Sequence, residues 1–139
     1  MREHEFTIDL PASAPRLWAL FQRYDLWKEY APAVLDVEIV WPGDAGGNGL
    51  LRKVIYPLPF GRRGESFELV KNVRPGEGYD YVMLRSGLSG SVALEPQGKD
   101  TLLTLRHSNL PDDDMGRQHE EGWKYITGAL ADRFASRGR

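Results

Sequence analysis

PDDDMGRQHEEGWKYITGALADRFASR, residues 111–137, decides how the rest of the chain must fold. Trp123, Ile126, Leu130 and Phe134 recur at helical spacing, and His119 lies on the same side one turn earlier. Asp112, Asp113 and Asp114 suit the positive end of a helix. Arg133, Arg137 and Arg139 suit its negative end. Gly122, beside Trp123, lets another backbone or a ligand approach closely. The pattern predicts one long C-terminal helix from Pro111 to Arg137. No earlier stretch has a helical pattern of that length, so the preceding residues must supply the surface on which it packs.

Most of those residues alternate. Glu3 to Leu10 places His4, Phe6, Ile8 and Leu10 on one side, which predicts a half-buried strand ended by Pro11. Ser13 suits an N-cap and Pro15 a first helical turn, ahead of an apolar stripe of Leu17, Trp18, Leu20 and Phe21. A second short helix is predicted over Tyr24 to Tyr30, with Trp27 and Tyr30 on one face, stopping before Pro32. From Val34 the period is two. Leu35, Val37, Ile39 and Trp41 share a face, and the glycine-rich segment 42–49 turns into a strand ending at Tyr56. After a loop with a basic tip at 57–64, Glu65 to Val73 sets Phe67, Leu69 and Val73 on one side. Tyr79 to Arg85 groups Tyr79, Tyr81 and Met83, and Ser91 to Glu95 follows. Thr101 to Ser108 groups Leu103, Leu105 and His107. Strand, two short helices, six strands joined by short turns and a long helix predict an α+β fold built on an antiparallel meander.

Composition narrows the function. A chain of 139 residues fits one domain with a real core. Without cysteine there are no disulfides, thiol nucleophiles or cysteine metal sites, and the chain reads as cytoplasmic. A net charge of -2, with acids and bases interspersed, gives no overall field for nucleic acid or anionic membrane. No apolar run is long enough for stable membrane insertion. Phosphate-cradling glycine loops, a dinucleotide fingerprint and a nucleophile elbow are all missing. No cofactor or metal is expected. The four Trp and six Tyr suit a cavity wall, with apolar bodies and polar tips.

Two stretches carry a family resemblance. One runs from Ala14-Pro15-Arg16-Leu17-Trp18 to Asp25-Leu26-Trp27-Lys28-Glu29-Tyr30-Ala31-Pro32. The other is His107-Ser108-Asn109-Leu110-Pro111 with His119-Glu120-Glu121-Gly122-Trp123. With the element order, they resemble the START-like (SRPBCC) superfamily over nearly the whole chain. The closing segment is similar to the heat-shock ATPase activator's C-terminal domain, and the Gly47-Asn48-Gly49 turn is similar to the polyketide cyclase/dehydrase branch. The resemblance implies a single helix-grip domain over residues 1–139, with a curved sheet of about seven strands wrapped around the C-terminal helix. It also implies a hydrophobic-ligand cavity between them, without fixing one activity.

The ligand-binding candidates are therefore Trp27, Tyr30, Arg52, Tyr56, Phe67, Tyr81, Met83, Leu105, His107, His119, Trp123 and Ile126. His107 and His119 are the acid–base candidates, but the reading favoured for each is the plainer one, a donor to a nearby carbonyl that fixes the strand–helix corner. An inward arginine needs a partner: Arg52 and Arg85 are the candidates, with Glu65 or a ligand anion to pair with. The first reading is a carrier or sensor for a small hydrophobic or aromatic molecule. An enzyme, a cyclase or dehydratase acting on a polyketide-like or aromatic precursor, is the second. A chaperone-activator-like partner domain is the third. A homodimer through an edge strand or through Tyr125 on the long helix stays open.

Overall fold

The computed structural model describes residues 2–30, 34–110 and 114–137. Within the last segment it describes the side chains of Gly116, Arg117, Glu121, Lys124, Tyr125 and residues 127–134. The elements are β1 (Arg2–Leu10), α1 (Ala14–Gln22), a 3-10 turn (Tyr24–Leu26), α2 (Trp27–Tyr30), β2 (Asp36–Trp41) and β3 (Leu51–Pro57). They continue with β4 (Arg63–Arg74), β5 (Gly78–Met83), β6 (Ser89–Gln97), β7 (Asp100–Leu110) and α3 (Asp114–Arg137). The seven strands form one antiparallel sheet in the order β1-β7-β6-β5-β4-β3-β2. Strands β2 to β7 are the expected meander, and β1 closes against β7.

Local chemistry sets the short helices. The Ser13 hydroxyl accepts from the Arg16 N–H at 3.4 Å, and Pro15 occupies the first turn. At the other end the Arg23 N–H donates to the Leu20 carbonyl. The Trp27 indole then donates to the Phe21 carbonyl at 3.2 Å, tying α2 across the end of α1. Leu17, Phe21, Tyr24 and Trp27 join the sheet's inner residues Leu10, Val54, Val70, Val92, Leu103 and Leu105 in one core. Leu130 and Phe134 of α3 complete it, with the Arg16 guanidinium 5.2 Å above the Phe134 ring.

Two strands differ from their alternation. In β2 a register shift follows Ile39, so that Ile39 faces Arg52 whereas Trp41 faces Leu51. The bulge moves Trp41 off the face that it would share with Val37 and Ile39. In β4, Ser66, Glu68 and Val70 pair with Val54, Arg52 and Tyr81. The polar set therefore faces inward, and Phe67 pairs with Lys53 on the opposite face. Phe67, expected in the cavity wall, is not on the concave side. Arg52 is the reason: it needs an acid directly across the strand pair, and the period of two takes Phe67 out.

Candidate functional site

The centre of the concave face is a buried charge. Arg52 on β3 has no exposed surface, and its cross-strand neighbour Glu68 is 7% exposed. The Arg52 Nε donates to Glu68 Oε1 at 2.8 Å, and Nη2 lies 2.7 Å from the same oxygen. Four aromatic rings surround the guanidinium: Trp27 at 4.8 Å, Tyr81 at 5.2 Å, Tyr79 at 5.5 Å and Tyr24 at 5.7 Å from ring centroids. These are cation–π distances in a desolvated setting, where the attraction is strongest. Nη1 reaches the Tyr79 hydroxyl at 3.5 Å, a long contact. Glu65, the expected partner, lies 3.7 Å from Lys53 on the outer face. Arg85 sits exposed in the β5–β6 turn and not inside.

Electrostatics hold the charge on Arg52. Burial works against the charge on Arg52, but ionised Tyr79 and the Glu68 carboxylate outweigh it and hold the guanidinium well above its ordinary pKa. Near neutral pH Tyr79 is an uncharged phenol, so Glu68 is the operating counter-charge. Burial raises the Tyr79 pKa above 10.0, with Arg52 opposing it in part. The folded protein therefore keeps a proton on Tyr79 where the unfolded chain has released it. Stability should fall as pH rises above about 10, through the window up to the folded pKa. Urea midpoints from neutral to alkaline pH are expected to drop less for Tyr79→Phe than for the parent. An equal drop would mean that other groups cause the alkaline loss.

Glycines shape the wall. A Cβ at Gly90 would run into the Tyr81 ring, and one at Gly64 into the Tyr56 ring. Each tyrosine lies flat over a cross-strand glycine (Tyr81 opposite Gly90, Tyr56 opposite Gly64) where any side chain would be in its place. Toward the β3–β4 turn the concave face loosens, and Tyr56, Ser66, Met83 and His4 are only half-buried. A cavity of about 20 Å³ lies at the other end, among Trp18, Tyr24, Leu50, Val70 and Tyr79, with room for one water.

His107 is buried on the same face and stacks on its cross-strand neighbour His4, with ring centroids 5.8 Å apart and planes at 19°. The expected companion, His119, lies outside the described side chains, as do Tyr30, Trp123 and Ile126. Of the remaining candidates, Trp27, Arg52, Tyr81, Leu105 and His107 are buried around the concave space, and Tyr56 and Met83 border it. Glu68, Tyr24 and His4 are not among the candidates named from the sequence. The signal for Glu68 was the tight loop at 57–63, since a hairpin closing Pro57 on Arg63 sets Arg52 opposite Glu68. Among the described residues no group of three or more His, Asp or Glu is placed to hold a metal. Among the described residues, too, no helix is long and apolar enough to cross a membrane.

A curved antiparallel sheet, short helices after β1 and a long C-terminal helix define a helix-grip, START-like protein. The family profile described as "Polyketide cyclase / dehydrase and lipid transport" matches residues 1–135, and the chain belongs to that family. No curated protein sequence matches it. Among solved structures it is similar to a START superfamily protein from Mycobacterium smegmatis, with a TM-score of 0.78, 14% identity, and 96% of this chain and 97% of that one covered. It is also similar to the Zhui aromatase/cyclase from Streptomyces sp. R1128, with a TM-score of 0.76, 18% identity and coverage of 99% and 96%. For Ara h 8.0201 the values are 0.72, 18%, 97% and 99%. At these identities the likeness is one of fold.

Proposed function

We propose that the protein binds a small hydrophobic or aromatic molecule between the concave face and α3, as a carrier or sensor. The observation that carries this reading is the buried Arg52–Glu68 contact inside a ring of aromatic side chains. Such a pair adds little stability over well-packed apolar residues of the same volume, so its place in the core is not explained by folding alone. A mainly apolar wall with a few fixed polar groups suits a ligand of mixed character. The ligand space would lie toward the half-buried end, bordered by Tyr56, Met83 and His107, beneath the first half of α3. The one-water cavity near Trp18 is too small to be that site.

The fluorescent probe 1-anilinonaphthalene-8-sulfonate tests the reading. Met83→Trp should weaken probe binding at least about tenfold by filling the space, while circular dichroism stays that of the parent. Undiminished binding in a folded variant would remove Met83 from the site and with it this placement of the ligand.

A second reading, a cyclase or dehydratase, draws on the buried His107 beside His4. An imidazole facing the same space has the proton affinity to act as acid or base near neutral pH. Turnover of an aromatic precursor, lost in His107→Phe while probe binding persists, would favour this reading over a carrier.

A further inference from the structure

Two turns lie at the same end of the sheet, because β3 and β5 run in the same direction. The β3–β4 connection carries Leu58, Phe60 and Arg62, with Arg63 opening β4, and the β5–β6 turn carries Leu84 and Arg85. Phe60 is 95% exposed, Leu84 53% and Leu58 39%. Phe60 is also held at φ 64 and ψ 33, a left-handed conformation that bulky side chains rarely adopt. The turn that holds it is closed by the Leu58 N–H donating to the Arg62 carbonyl at 2.9 Å. An aromatic ring therefore occupies a position suited to glycine or asparagine and is presented to solvent. Observed strain of this kind is a pointer to function.

The charges carried by the two turns themselves are of one sign. Arg62, Arg63 and Arg85 are exposed, and no ion pair among the described residues engages them. Neither segment 57–64 nor segment 84–88 contains an acid. We propose that this end of the sheet docks on an anionic lipid membrane, with Phe60 and Leu84 entering the headgroup layer and the arginines meeting the phosphates. The exposed apolar residues sit on two different turns, an arrangement that suits a fluid surface better than a shaped protein partner. Docking here is peripheral and does not depend on what the concave face binds. It would set the half-buried end of that face toward the membrane.

Co-sedimentation with vesicles tests the proposal. One set is phosphatidylcholine alone, and the other is phosphatidylcholine with phosphatidylglycerol at two to one. Each arginine at an anionic surface is worth about fivefold in affinity, so the three predict about a hundredfold preference for the anionic vesicles, weakening with salt. Arg62→Ser with Arg63→Ser should remove most of that preference. Phe60→Asn keeps a residue that tolerates the left-handed position and should bind about tenfold more weakly while folding at least as well. Equal binding to both vesicle types overturns the proposal, as does unchanged binding of the Phe60 and arginine variants. Failure of the parent to sediment with anionic vesicles at low salt also overturns it and leaves the tip to a protein partner. Probe binding in the concave face is unaffected by any of these results, so the two readings fail separately.

Discussion

Glu68→Leu should lower stability by about 3–5 kcal/mol, because it leaves the Arg52 guanidinium charged and unpaired in the core. The change nearly conserves volume, so little of the loss can be assigned to a cavity. Arg52 has no exposed surface through which to recruit water, and the aromatic rings offer only cation–π attraction in place of a carboxylate. For a chain of this size the loss corresponds to a fall in melting temperature of roughly 10–17 °C. The double variant Arg52→Met with Glu68→Leu should recover to within about 1 kcal/mol of the parent or exceed it, since both desolvated charges are gone. Recovery would show that the fold does not need the pair, as expected of residues kept for a ligand. A double variant as unstable as the single one would show that the pair is structural, and the case for a site at Arg52 would weaken with it.

Gly90→Ala is the second large effect. The new Cβ would meet the Tyr81 ring, which is 1% exposed and packed beside Arg52, Tyr79 and Val70. The ring has nowhere to go without disturbing those neighbours, so overpacking should cost about 1–3 kcal/mol. Combining Gly90→Ala with Tyr81→Leu should cost less than the sum of the two single changes, by about 1 kcal/mol or more in a double-mutant cycle. Additive effects would mean that the ring moves freely. The concave wall would then be looser at its centre than the packing implies.

The sequence displays the features behind these effects unequally. Period-two stretches and the long helical pattern between Asp114 and Arg137 carry the fold, because each element must bury one face and shows it in its spacing. Arg52 stood in the sequence only as one of two inward candidates, since the alternation of β3 offers two usable faces. β4 was not legible from its larger residues. Phe67 and Leu69 look like the core set, yet Glu68 is drawn inside by a charge on the neighbouring strand. Single-strand alternation cannot register that, whereas the hairpin's own loop length does. Trp41 was misplaced for a different reason: a bulge after Ile39 shifts register without any marker such as glycine at that point. His4 was visible on the inner side of β1, but its stacking on His107 depends on β1 pairing with β7, a contact between the first and last strands.

Native mass spectrometry of the purified protein, followed by solvent extraction of whatever it carries, tests the central claim most directly. The account predicts added mass from one small apolar or aromatic compound per chain, reduced in Met83→Trp and in Gly90→Ala. A parent protein that carries nothing, and that acquires no mass when incubated with aromatic compounds, would contradict ligand binding on the concave face.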